Sequence, residues 1–299
     1  MSSNLYTHQS QNVFKTWILL GFFFALLVAI GYLISWRLET PIFFYAAIVI
    51  SMIMNIISYW FSDRIVLRLA HARPASREEF FDLYTTVENL AITAGLPMPK
   101  LYVINDTAPN AFATGRDAKH SVVAVTTGLL KILTKPELEG VIAHELSHIG
   151  NKDMFLSTMV VVFVGVLTML AHIGTRAMAF TGGGDNDSGG RGGQLGFILG
   201  LLALIIAPIA GTLLQLSISR KREYLADVSG CLLTRYPEGL ASALEKIKEH
   251  TQPMRHASNA TAHLYIANPF GGITKGVSKL FMTHPPLEDR IRILRETSL

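Results

Sequence analysis

Hydrophobic positions along this 299-residue chain gather into four long blocks, at residues 16–36, 40–62, 154–175 and about 194–219, none of which contains Asp, Glu, Lys or Arg. A helix rises 1.5 Å per residue, so each block is long enough to cross a hydrocarbon layer of about 30 Å. The pattern predicts two membrane hairpins. It divides the chain into 1–62, the N-terminal segment with the first hairpin; 63–153, a polar region; 154–219, the second hairpin; and 220–299, a second polar region. The first block does not read as a cleaved export signal. Only Lys15 precedes it as a strong positive charge, no small-x-small site follows, and the second block begins at once.

The polar regions carry shorter periods. Residues 76–93 show apolar positions at helical spacing behind Ser76, with Glu79 three places on, and Gly95, Pro97 and Pro99 end the run. Three short β-rich runs follow at 100–104, 110–114 and 121–126, predicting a small three-stranded sheet. Pro136, with Glu137 and Glu139 in the first turn, opens a further helix. Residues 181–193, with seven glycines, lack the strand and the Lys-Ser or Lys-Thr of a phosphate cradle, so they read as a flexible linker.

Composition and charge narrow the class. Half the residues are hydrophobic and 16% are charged, against about 25% in globular domains, which excludes an ordinary soluble enzyme. The net charge of +4 is concentrated beside the membrane blocks: Arg64, Arg68 and Arg73 after the second, Arg220, Lys221 and Arg222 after the fourth. The opposite ends carry Arg37 with Glu39, and Arg176 and Arg191 with Asp185 and Asp187. Basic residues are retained on the cytoplasmic side, so both termini and both polar regions are expected there. No basic and aromatic surface points to nucleic acid. Cys231 is the single cysteine, which rules out an internal disulfide and reads as a small core residue.

The chemistry lies in His144-Glu145-Leu146-Ser147-His148. Residues four apart share a helical face, so both imidazoles can close on one zinc ion with Glu145 beside its water. A catalytic zinc takes three protein ligands and keeps a position open. Glu223, where the chain leaves the fourth block, is the candidate third ligand, and Asp227 one turn on is placed to accept the ring N–H of a ligand histidine. Taken alone, Glu223 and Asp227 also fit surface ion pairs with Arg220, Lys221 or Arg222. The site is expected within 10–15 Å of the membrane, because about nine helical residues separate it from the third block.

His144-Glu145-x-x-His148, a membrane hairpin, and Arg222-Glu223-x-x-x-Asp227 together resemble the integral-membrane zinc peptidases of the HtpX type, a family that also includes the CAAX prenyl endopeptidase. Pro109-Asn110-Ala111-Phe112-Ala113-Thr114-Gly115 and Thr283-His284-Pro285-Pro286-Leu287-Glu288-Asp289-Arg290 match as well. The resemblance implies a mainly α fold: four transmembrane helices and a membrane-proximal, cytoplasmic, zincin-like catalytic domain with a small sheet. It implies one Zn²⁺ per subunit on His144, His148 and Glu223, with Glu145 as the base. His284 would be a second donor to the oxyanion, Arg290 would steady that loop or a nearby carboxylate, and Asn110, Ala111, Phe112 and Ala113 would form a substrate-binding edge strand. The implied function is a stress-associated endopeptidase of a bacterial inner membrane that hydrolyses misfolded or damaged membrane proteins, with membrane quality-control proteases as possible partners. Rival readings are a CAAX-type processing enzyme and a zinc-binding transporter or sensor. Glu145 discriminates the last, since a carrier needs no carboxylate poised on water.

Overall fold

The first two apolar blocks become the long helices α1 (Leu5–Leu38) and α2 (Ile42–Leu69), both extending beyond the charge-free stretches. They belong to a computed structural model that describes residues 5–181, 220–271 and 285–297. The third block forms α6 (Met154–Thr181). Among the described residues, three helices are long and apolar enough to cross a membrane: Ser10–Leu38, Ile42–Leu69 and Met154–His172. The fourth block at 194–219 and residues 182–193 of the Gly-rich linker lie outside the described residues. Phe14, Trp17, Phe22, Trp60 and Phe61 are well exposed on α1 and α2, as expected of side chains whose solvent is lipid rather than water.

The sheet has four strands where the sequence pattern predicts three. They are β1 (Ala72–Pro74), β2 (Lys100–Ile104), β3 (Ala111–Gly115) and β4 (Ser121–Thr126), in spatial order β1-β2-β4-β3. The additional β1 is too short and polar to show strand alternation, and it exists because α2 delivers it against β2, where it pairs antiparallel. β2 and β4 run parallel, and β3 returns antiparallel on β4, which leaves β3 at an edge.

Helix α3 (Phe81–Thr93) begins five residues later than Ser76. Ser76 Oγ does accept the Glu79 N–H at 3.1 Å, but the Glu79 carboxylate goes to Arg73 at 2.6 and 2.9 Å instead of closing a capping box. That box forms at α5 (Lys135–Gly150), where Glu137 reaches back to the Thr134 N–H at 2.6 Å. Between β4 and α5 lies the short α4 (Thr127–Ile132). After the undescribed stretch come α7 (Arg220–Thr234), α8 (Pro237–Glu249) and α9 (Leu287–Glu296).

Alternation along the strands splits the core in two. Phe112, Val122 and Ala124 face a cluster with Phe23, Met159, Phe163 and Tyr265 from the membrane helices and the 260s segment. Ala111, Ala113, Val123 and Val125 face the opposite cluster, centred on α5 and closed by α3, α7 and α8. Helix α5 is buried nearly all round. It reaches that position through Gly140, where a Cβ would lie 2.6 Å from the Leu240 backbone nitrogen, and through Gly230 of α7, where a Cβ would lie 3.0 Å from the His144 nitrogen. Glycine costs a helix about 1 kcal/mol relative to alanine; here it lets the helix axes approach.

Candidate active site

The two imidazoles of α5 meet as their spacing predicts: His144 Nε2 and His148 Nε2 are 3.1 Å apart. Glu223, in the first turn of α7, places its carboxylate oxygens 3.8 Å from His144 Nε2 and 3.6 Å from His148 Nε2. Among the described residues these three form a group able to hold a metal ion. Each ring is turned by a carboxylate behind it. His144 Nδ1 lies 2.9 Å from Asp227 Oδ1, and His148 Nδ1 lies 3.1 Å from Asp153. With both Nδ1–H groups donating to carboxylates, both Nε2 lone pairs point at one spot. Two nitrogens that close leave no room for a proton on each, whereas a cation between them accepts both lone pairs.

Asp227 is itself fixed from behind. Arg290 of α9, completely buried, donates Nε to Asp227 Oδ2 at 2.9 Å and Nη2 to Asp227 Oδ1 at 2.6 Å, and Nη1 to the Ile266 carbonyl at 3.3 Å. This fork gives the carboxylate one orientation, and of the two roles expected of Arg290 the structure places it on a carboxylate. Burial works against the charge on Asp227, but Arg290 and His144 outweigh it and hold Asp227 down at about 2.

Asp153 has no counterpart in the sequence reading. It follows His148 by five residues, a spacing that does not share a helical face. The chain leaves α5 through Lys152 at φ 56°, and that left-handed residue swings Asp153 back onto the ring. Asn151-Lys152-Asp153, two residues beyond the motif, is the only trace of this in the sequence, and it reads equally well as a turn.

Charges around the site favour a cation. Burial disfavours a protonated His148, yet the carboxylates of Asp153, Glu223 and Glu145 raise it to about 10 in the metal-free chain. Burial lowers His144, with Arg290 contributing, despite Asp227. Glu145 is pushed up to about 7 by burial, and by Glu223, against the pull of His148 and Arg290. The backbone of Ala113 pulls weakly against that rise, which sets the edge strand beside the Glu145 carboxylate.

Of the four edge-strand residues, only Ala113 lines the small cavity, about 30 Å³, beside His148, Asp153, Glu223 and His263. Phe112 points into the core and meets Tyr265 edge-on at 5.1 Å. The Asn110 amide bonds the Ala267 carbonyl at 2.9 Å, and the Ala111 carbonyl accepts the Ile266 N–H at 2.9 Å. The edge is therefore covered at Ala111 and turned towards the site at Ala113. His263, which has no ligand spacing in the sequence, joins the cavity wall by donating Nε2–H to the Ser157 carbonyl at 3.1 Å. His284 lies outside the described residues. Cys231 is buried and its thiol is raised to about 11 by burial, in keeping with a core role.

The family model for peptidase family M48 matches residues 77–298, which span both α5 and α7. The chain belongs to peptidase family M48. A protease HtpX homolog from Caldanaerobacter subterraneus subsp. tengcongensis is 45% identical over 300 residues, covering 99% of this chain and 98% of that protein. A protease HtpX homolog from Pyrococcus abyssi is 47% identical over 287 residues, covering 95% and 96%. The fold resembles the crystal structure of S. mikatae Ste24p, with a TM-score of 0.52 at 20% identity over 94% of this chain and 66% of that one. This M48 protein is thus a membrane metalloendopeptidase, which decides between the peptidase and the transporter or sensor.

Proposed function

We propose that this M48 protein is a zinc endopeptidase that hydrolyses extended segments of misfolded or damaged membrane proteins on the cytoplasmic side. The observation that carries the reading is the convergence of His144, His148 and Glu223 beside Glu145 and the edge strand. Tetrahedral zinc with bonds of about 2.0–2.1 Å separates two nitrogens by about 3.3 Å, close to the 3.1 Å between the two Nε2 atoms. Zinc held by these residues supplies a Lewis acid for water activation and carbonyl polarisation.

The rest is the work of the chain. Glu145, buried and near neutrality in its proton affinity, takes the proton of the attacking water and returns it to the departing amine. Asp227 and Asp153 hold the two rings in the tautomer that leaves Nε2 free to bind metal. Arg290 keeps Asp227 ionised and in place. An extended peptide adds to β3 at Ala113, whose backbone faces the cavity, and main-chain pairing of this kind imposes little side-chain selectivity. His284 would complete the site as a second donor to the developing oxyanion. Weak selectivity suits a quality-control role, and the basic residues after the membrane blocks support the cytoplasmic placement.

The test is digestion of casein in detergent by metal-stripped protein with zinc restored. Wild type is expected to regain activity. Glu145→Gln is expected to bind zinc normally and to lose activity by about 10² to 10⁴-fold, while equal activity of the two would remove Glu145 from the reaction.

A further inference from the structure

Three membrane helices reach the metal site at one level. Asp153, which turns His148, is the residue immediately before α6, and the apolar stretch Met154–His172 has 19 residues. Read through to Thr175, the charge-free block spans about 33 Å at 1.5 Å per residue, little more than the hydrocarbon thickness, so its boundary falls within about a turn of Met154. Met154 and Ser157 line the same cavity as His148 and Glu223. From α1, the buried Asn12 donates its amide to the Asn151 carbonyl at 3.3 Å, three residues from His148 and one turn before the apolar stretch begins at Thr16. From α2, Trp60 stands near the end of its apolar stretch, and Arg116, at the tip of the β3–β4 turn, lies 4.6 Å over its ring and bonds its carbonyl at 3.3 Å. Arg64 lies 5.3 Å over Phe61 beside it. Aromatic rings capped by guanidinium groups are what a helix presents to lipid headgroups.

The edge strand cannot leave this level. Thr158, fully buried in the second turn of α6, shares a hydrogen bond of 3.0 Å with the Thr114 hydroxyl and accepts the Gly115 N–H at 3.3 Å. Ala113 is three residues from Arg116, about 10 Å along an extended strand. A substrate segment paired there lies as near the headgroups as the strand does.

We infer that the protein cuts its substrates immediately beside a membrane-spanning segment, within about ten residues of the bilayer boundary, because β3 is bonded to α6 through Thr158 and, through Arg116 at its turn, held on Trp60 of α2 at that depth. The inference rests on the reading of β3 as the substrate-binding edge. It names the substrate class: the juxtamembrane stretch of a membrane-anchored chain, in preference to a loose soluble polypeptide. Anchoring places such a stretch at the site at high effective concentration, which compensates for weak side-chain selectivity.

The experiment uses the full-length zinc-loaded protein in liposomes. The probe is a single apolar transmembrane helix followed by an unstructured tail of about 40 residues of repeated sequence, with cut positions mapped by mass spectrometry. Cuts confined to about the first ten tail residues are expected, and the same tail without its anchor should be cut at least about tenfold more slowly. Arg116→Glu, which breaks the guanidinium's hold on Trp60 of α2, should spread the cuts outward while casein digestion in detergent is unchanged. Cuts spread evenly along the wild-type tail, or equal rates for anchored and free tails, would overturn the inference and leave the peptidase reading standing. No cut in either tail would overturn both.

Discussion

At His148 a proton and a metal ion compete for one nitrogen. Asp153, Glu223 and Glu145 raise the metal-free imidazole to about 10, so at neutral pH the ring is protonated and must lose that proton before Nε2 can bind zinc. Zinc uptake is therefore expected to release about one proton, and affinity should rise roughly tenfold per pH unit from about pH 7 upward until pH approaches the His148 value. Titration calorimetry in buffers of different ionisation enthalpy reads the proton directly; a heat independent of buffer would contradict it. Asp153→Asn removes one of the charges that orient and polarise the ring, so zinc affinity should fall about 10 to 100-fold in competition with a chromophoric chelator. The Asp227–Arg290 pair differs, since deleting either partner strands a buried charge at a cost of about 3–5 kcal/mol and tests folding more than function.

Among the elements, α5 matters most because it carries three site residues and touches four neighbours. Its contact with α8 is made backbone to backbone at Gly140 and Gly239, where a Cβ on either would fall 2.6–2.7 Å from the other helix's main chain. Gly140→Ala would gain about 1 kcal/mol of helix propensity. The clash meets rigid backbone on both sides, and overpacking of this kind costs about 1–3 kcal/mol, so the variant should be less stable overall. A melting temperature lowered by about 2–6 °C is expected, and a higher one would show that α8 can withdraw. The same approach at Gly230 sets α7 against His144 and so fixes how far the Glu223 carboxylate reaches.

For the whole molecule the decisive feature is the membrane frame. Arg64, Arg68 and Arg73 at the end of α2 and Arg220, Lys221 and Arg222 at the start of α7 lie on the side that carries the site, and from the positive-inside bias we propose that this side faces the cytoplasm. With Cys231 replaced by alanine, single cysteines at Ser76 and Glu39, both exposed, should behave oppositely in intact cells. Glu39→Cys reacts with a membrane-impermeant thiol reagent, and Ser76→Cys reacts only after permeabilisation. The reverse pattern would invert the topology.

Local patterns made much of this protein readable. Uninterrupted apolar runs specify membrane helices because lipid tolerates few charges, and a four-residue interval puts His144 and His148 on one face because a helix repeats every 3.6 residues. Contacts between distant segments were not readable. Asp153 reaches His148 only through the left-handed turn at Lys152, Arg290 finds Asp227 only when α9 packs on α7, and the edge strand is open at Ala113 because the 260s segment covers Ala111. Periodicity encodes what one element does with its own neighbours in sequence. Which carboxylate stands behind which imidazole, and at what depth beside the bilayer, is decided by the packing of elements that share no period.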